Sequence, residues 1–493
     1  LFARMYGSPS EEYGGFSIAH SGDGGFVSVG GIPISSVGDE VLVFKVDPLG
    51  GLSWAITYGP GLDSDEDVYC VKKTSDGGFV MAGMYGAFGP TLYADALVMK
   101  VDASGNLLWA RAYGGTSDDA AYCVEQTGDG GYITAGFGYN IGGGSADVVV
   151  LKLNSSGGLS WGRRFGGAGW DNAYSIIQTS DGGFALAGET ESAGAGNRDF
   201  LVIKLDPSGS TSWARVFGGP ALDEASSIIQ TQDGGYIVVG GTGSYGSGGW
   251  DIMVMRLNSS GSVVWAKVIG GPGSEWGSSV IPAYDNGFII AGYTGSAGAG
   301  NTDFLLLKID DLGNLQWART WGTNANDVGR DIMRTADGGY VITGYTYVSG
   351  SSDAVIIKLN YDGTYPDCFF EWNPTVLDVS PASQSVGWGN PYAPSSPWIT
   401  MMGSDLTMNA AELCPSVSGE EKFPLGGEAS FLCIPVLGGL VFRSSLQSSV
   451  SVYRPDGRII YSGRLNPGET RISLERGLYI WKAGSRAGSA VVR

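Results

Sequence analysis

Ala173-Tyr-Ser-Ile-Ile-Gln-Thr-Ser-Asp-Gly-Gly-Phe-Ala-Leu-Ala-Gly188 reads as two short strands joined by a tight turn. Apolar, β-branched and aromatic residues flank Asp181-Gly-Gly183, and glycine supplies the turn geometry that other residues resist. The stretch recurs. Asp-Gly-Gly followed by an aromatic begins at Asp23, Asp76, Asp129, Asp181, Asp233 and Asp337, and as Asp-Asn-Gly at Asp285. Successive copies lie 53, 53, 52, 52, 52 and 52 residues apart.

Each copy continues in the same way. After a Gly/Ser loop comes a third strand, Asp199-Phe-Leu-Val-Ile-Lys-Leu205, then the turn Asp206-Pro-Ser-Gly209. A fourth strand follows, Thr211-Ser-Trp-Ala-Arg-Val-Phe217. Four short antiparallel strands repeated seven times predict an all-β fold, a seven-bladed β-propeller over residues 1–364. A β-helix would need much shorter repeats, and a helical solenoid would show a 3.6-residue period. The last copy lacks a Trp strand after Leu359, while the N-terminus supplies one without a partner, Leu1-Phe-Ala-Arg-Met-Tyr-Gly7. Those two orphans should pair, with Phe2 in the Trp position, so that the first strand completes the last blade and closes the ring.

The repeat resembles the secreted bacterial and archaeal propeller repeats that read DGGYIVAG. These share strand order with WD-repeat propellers but lack the Trp-Asp dipeptide. The resemblance implies fold and is silent on activity.

The period stops at Asp362-Gly363. Residues 365–420 are rich in Pro, Ser and Asn and read as a small β connector module, its ends bracketed by Cys368 and Cys414 as a candidate disulfide. Residues 421–493 read as a separate β-sandwich-like unit, with Ser451-Val-Tyr-Arg-Pro-Asp-Gly-Arg458, Gly477-Leu-Tyr-Ile-Trp481 and a terminal apolar strand. This last unit resembles the C-terminal sorting domain of type IX secretion cargo. The resemblance implies export, with the domain clipped or kept as a docking module.

Composition limits the functions. The 493 residues carry 83 Gly, 29 Lys+Arg against 49 Asp+Glu, and a net charge of −20. That balance disfavours nucleic acid and anionic membranes as partners. The longest apolar stretch, Phe431 to Phe442, is too short to span a bilayer. The chain begins at Leu1 inside a structural unit, which reads as a mature extracellular chain whose signal peptide has been removed.

Candidate chemistry is sparse. A carboxylate stands ten residues before the turn Asp in six copies: Glu66, Asp119, Asp171, Asp223, Glu275 and Asp327. They should ring one mouth of the central channel, either as an acidic or cation-binding face or as loop caps accepting backbone N–H bonds. Asp63, Asp65 and Asp67 form the densest acidic cluster, a weak Ca²⁺ candidate without the Gly and terminal Glu of an EF-hand. An acid and a base stand five apart in every third strand, as in Asp199/Lys204, and should bridge to a neighbouring blade or to solvent. The repeated Trp positions should fill the space between blades.

His20 is the single histidine, at a strand end filled elsewhere by Lys73, Gln126, Gln178, Gln230 and Arg334. No catalytic residue and no organic cofactor site is assigned. Cys70 and Cys123 hold equivalent positions in consecutive blades, as a bridge or as free thiols, and Cys433 is left over.

Three functions follow from this reading. The first is an extracellular structural protein that self-assembles into a filament, tube or surface coat. The second is a cell-surface adhesin using one propeller face for a glycan or protein, which predicts an asymmetric aromatic-rich face. The third is a secreted polysaccharide hydrolase, which needs two unrepeated carboxylates facing each other.

Overall fold

A computed structural model describes residues 1–386 apart from 8–12, 36–37, 60–65, 87–92, 140–144, 349–350, 366–369 and 373. Beyond 386 it describes only the short strands named below. Seven antiparallel sheets form a seven-bladed β-propeller, with no helix among the described residues. The inner strands are Tyr13–His20, Glu66–Lys73, Asp119–Gln126, Asp171–Gln178, Asp223–Gln230, Glu275–Pro282 and Asp327–Arg334, opening blades 1 to 7 in chain order. Each inner strand starts at what we term the upper face and ends in an Asp-Gly-Gly turn at the lower face.

The ring closes as the sequence requires. Phe2–Gly7 pairs antiparallel with Ser351–Leu359, from Phe2 opposite Lys358 to Tyr6 opposite Ala354. Each Trp of the fourth strands lies on the turn glycine of the next blade, as Trp161 does on Gly209. At φ +79° that glycine has no strain, and a Cβ there would come within 2.9 Å of the indole. Phe2 makes the same contact with Gly50, which identifies it as the seventh member of the Trp set. In the sixth blade Asn286 takes the left-handed turn position (φ 69°) that glycine holds in the other copies. Between blades the buried cores are built from apolar residues of adjoining sheets, for example Tyr132 and Val150 of blade 3 with Phe184 and Leu186 of blade 4.

Residues 365–420 depart from expectation. They do not form a connector module of their own: the first compact unit runs Leu1–Ser416. Six short strands of this segment travel backwards around the ring, each adding a fifth outer strand to a blade. Phe370–Trp372 pairs on blade 6, Thr375–Asp378 on blade 5, Ala382–Ser385 on blade 4 and Asn390–Pro391 on blade 3. Met402–Asp405 then pairs on blade 1, and Asn409–Glu412 on Phe2–Gly7 of blade 7. Blade 2 has four strands among the described residues. The physical reason is the row of unpaired N–H and C=O groups on each blade's outer strand, which any extended segment can satisfy whatever its side chains. Lys267 adds an ion pair to Asp378 of this belt, at 2.5 Å. Cys368 and Cys414 lie outside the described residues.

The second unit, Val417–Arg493, holds two antiparallel sheets. One orders Phe431–Val436, Gly439–Ser444 and Gly468–Ser473. The other orders Ile459–Leu465, Ser448–Tyr453, Gly477–Ala483 and Arg486–Val492.

Candidate functional site

One residue per blade follows a register irregularity in each inner strand: Ser17, Cys70, Cys123, Ser175, Ser227, Ser279 and Asp331. Each reaches the next blade. The Ser17 hydroxyl accepts from Val71 N–H at 3.2 Å, and Ser175 accepts from Ile228 N–H at 3.3 Å. Asp331 draws the circle together, accepting from the Ser17 hydroxyl at 2.8 Å and the Ser279 hydroxyl at 2.9 Å. Cys70 and Cys123 are buried free thiols whose Sγ atoms stand 3.8 Å apart.

One residue earlier, toward the upper face, the seven positions differ sharply: Phe16, Tyr69, Tyr122, Tyr174, Ser226, Ser278 and Arg330. The aromatics form a continuous arc over blades 1 to 4. Ring centroids are 5.7 Å apart for Phe16 and Tyr69, 5.1 Å for Tyr69 and Tyr122, and 5.3 Å for Tyr122 and Tyr174. Phe137 and Trp170 extend the arc outward from Tyr122, at 5.9 and 5.6 Å steps, and Tyr139 meets Trp170 edge-on at 5.1 Å. All of these rings are half-buried. On blade 7, next to the blade 1 end of the arc, the Arg330 guanidinium lies over Phe16 at 5.9 Å and Tyr345 at 5.4 Å, within cation–π range.

A charged knot ends the arc. Glu189 accepts from the Tyr174 hydroxyl at 2.8 Å. Arg198 spans Glu191 at 2.9 Å, Glu189 at 3.3 Å and Glu224 at 3.5 Å. Burial, with the Glu189 charge next to it, pushes Glu224 up to about 7 despite Arg198. Burial also raises Glu189 and, with that carboxylate beside it, the Tyr174 phenol. Burial and the neighbouring carboxylate thus favour the protonated form of Glu224 beside this aromatic surface.

The carboxylates singled out in the sequence play another part. Glu66, Asp119, Asp171, Asp223, Glu275 and Asp327 each open an inner strand, and all are buried, at 3% exposure or less. Five of them cap the loop before their strand: Asp119 accepts from Gly115 N–H at 3.1 Å, Asp171 from Gly167 N–H at 2.9 Å, Asp223 from Gly219 N–H at 2.8 Å, Glu275 from Gly271 N–H at 2.7 Å and Asp327 from Thr323 N–H at 2.7 Å. They do not offer an open acidic face. Asp63 and Asp65 lie outside the described residues. Asp67 is half-buried, with the Tyr69 hydroxyl at 3.5 Å.

The basic member of each third strand is also reassigned. It pairs neither across blades nor with solvent but with the turn Asp of its own blade, as in Lys45–Asp23 at 2.6 Å and Lys204–Asp181 at 2.8 Å. Antiparallel register forces this, because the third strand ends beside the turn joining the first two.

Comparison with known proteins agrees with the fold. A family profile described as a domain of unknown function (DUF5122) beta-propeller matches residues 232–263 and 335–364. The match falls on blades 5 and 7. A regulatory protein FlaEY of Caulobacter vibrioides is 29% identical over 141 residues, covering 24% of this chain and 15% of the relative. Among solved structures, PorZ, an essential surface component of the type IX secretion system of Porphyromonas gingivalis, aligns with 98% of this chain and 70% of its own at 11% identity and TM-score 0.34. A tail fibre of Staphylococcus aureus phage P68 aligns with 76% of this chain and 95% of its own, at 9% identity and TM-score 0.21. A GH43_12 protein from a capybara gut metagenome aligns with 100% of this chain and 87% of its own, at 10% identity and TM-score 0.27.

Glu189, Arg198, Glu224 and the Phe16–Tyr174 arc are absent from the residues chosen on sequence. A search for repeated residues averages them away. The usable signal was the reverse, positions where one copy breaks the pattern: Glu189 stands where Phe137, Tyr293 and Tyr345 stand in other blades.

Proposed function

We propose that the chain is an extracellular binding propeller whose upper mouth recognises a glycan. The observation that carries this is the confinement of the aromatic arc to four of seven blades. A purely architectural role favours the same residue in every copy, as the Trp set illustrates, whereas a ligand site must break the symmetry. Half-buried rings stack on the C–H faces of sugars, and the Arg198 knot offers donors and acceptors for hydroxyl groups.

Glu189 has no acidic counterpart in the other blades and Glu224 has one, Asp67; the two glutamates lie on adjacent blades, but both converge on the Arg198 guanidinium. A glycosidase keeps its pair separated across the scissile bond by roughly 5–9.5 Å. Retention of a ligand, not cleavage, is the reading we favour.

The test is a screen on immobilised polysaccharides with the full chain, Tyr122→Ala and Trp170→Ala. Retention of at least one glycan, weakened tenfold or more in both variants, is expected. Equal retention by the variants, or none by the parent, overturns the proposal.

A second reading makes the ring a building block of a filament, tube or coat. It is favoured by the separate unit Val417–Arg493, available for docking. Because the belt takes up six blade edges from within the chain, copies would meet through ring faces or through that unit. Electron microscopy of the full chain should then show polymers that vanish when 417–493 is deleted. A disulfide between Cys368 and Cys414, which flank the belt strands in sequence, belongs to the same proposal. Intact mass before and after reduction reads it.

A further inference from the structure

At the lower mouth the inner strands end in His20, Lys73, Gln126, Gln178, Gln230, Pro282 and Arg334. The three glutamines do structural work. Each side-chain oxygen accepts from a turn N–H of the preceding blade: Ser75 at 2.7 Å, Gly128 at 2.8 Å and Ser180 at 2.8 Å. On blades 7, 1 and 2 this cap is missing and three basic side chains stand in its place.

Their surroundings leave charge in surplus. The neighbouring turn acids Asp23, Asp285 and Asp337 each hold a cation of their own blade, Lys45, Lys308 and Lys358. Among the described residues Lys73 and Arg334 form no ion pair. Arg334 lies over the Tyr284 ring at 5.0 Å, and that hydroxyl donates to Thr335 O at 2.7 Å. His20 Nε2 donates to the Arg334 carbonyl at 2.7 Å, tying the rims of blades 1 and 7 together. Gly22 clears space for the lysine, since a Cβ there would lie 2.4 Å from its Nζ. An open depression of 790 Å³ results, lined by Lys73, Arg334 and His20 with Tyr284, Ile281 and Met333.

We infer that this depression binds an oxyanion carried on a small organic body, such as the carboxylate of a uronic acid or a phosphate ester. Lys73 supplies a mobile point charge, Arg334 a planar fork held by Tyr284, and the apolar wall covers the ligand's carbon skeleton. In a chain of net charge −20, a local excess of cations without carboxylate partners favours anions at this mouth alone. The site is independent of the upper mouth, so either can fail without the other.

The test is calorimetric titration of the full chain with galacturonate, glucose 6-phosphate and inorganic phosphate, with chloride at matched ionic strength as reference. Binding by one or more probes above chloride is expected, reduced at least tenfold in Lys73→Gln and abolished in Lys73→Gln/Arg334→Gln. Preference for galacturonate or for the phosphates identifies the source of the oxyanion. Lys73→Gln installs the residue that blades 3 to 5 carry, so folding should hold, and an unchanged melting temperature checks this. Probes no better than chloride, or full binding by the double variant, overturn the inference.

Discussion

Upper and lower faces both present one carboxylate per blade at the same period, yet their electrostatics are opposite. On the lower face the turn carboxylates are exposed and salt-bridged. For Asp76, Asp129 and Asp181 partial burial opposes ionisation, but the Thr hydroxyl, the Gly N–H and the Lys ammonium outweigh it and hold each at about 2. On the upper face acid meets acid. In five blades the glycine at the end of the fourth strand is flanked by two carboxylates, for example Asp199 and Asp223 at Gly218, Asp251 and Glu275 at Gly270. Burial pushes Asp95 and Asp251 up to about 6, with Glu275 adding to the shift in Asp251. A residue type and a spacing thus fix a place in the fold, and partner and burial fix what it does.

Removing residues 1–7 strikes both faces at once. Blade 7 loses a strand that is paired on both edges, and the contacts of Phe2 and Tyr6 with blade 1 go with it. Loss of cooperative unfolding, or no soluble protein, is expected by differential scanning calorimetry. A melting point within a few degrees of the full chain would show that closure matters little.

Asp181→Ala comes next. It strips a partner from Lys204, whose side chain is only 7% exposed, and removes the acceptor for Thr179 Oγ1 and Gly183 N–H. Destabilisation of about 2 kcal/mol in urea unfolding is expected. A change near zero would mean that the lower-face pairs are ornamental.

The pH profile of the melting point compares the two sets directly. Lower-face carboxyls have depressed folded pKa values, so their contribution is present above the unfolded value near 4 and is lost as pH falls toward 2. Upper-face carboxyls have raised values, so theirs is present below about 4 and is lost as pH rises through about 6. Stability should peak near pH 4 and decline by several degrees as pH rises to about 6–7, with little further change from these groups above that. A flat profile from pH 5 to 9 would dissolve the distinction.

The smallest effect is Asp251→Asn, which keeps the acceptor for Ser247 N–H while removing one charge beside Glu275. It should stabilise the protein at pH 8 by on the order of 1 kcal/mol and do nothing at pH 4. Destabilisation at pH 8 would show that the charge itself is needed.

Much of the ring was legible because its information is repeated. Seven turns set the blades, the Trp set placed each blade on the next, and Phe2 without a partner located the closure. The belt was not legible. Its strands are two to four residues long and join blades through backbone groups, so no apolar alternation marks them. The Lys–Asp pairs were half legible: both periods were visible, but only the sheet register brings Lys204 to Asp181. The upper-mouth site was least legible, since Tyr174, Glu189 and Glu224 have meaning only as exceptions and become neighbours only across two blades.

The belt also gives the molecule a mechanical order. It runs against the direction in which the blades were laid down, and its final strand rests on the first strand of the chain. Tension applied at the C-terminus would reach Asn409–Glu412 first, then Met402–Asp405, and would strip the remaining outer strands from blades 3 to 6 in turn. Each release yields slack at the expense of a few backbone hydrogen bonds while the seven inner blades stay shut. A tethered chain so built dissipates a pull in small steps, as a rip-cord does, before the inner blades feel any load.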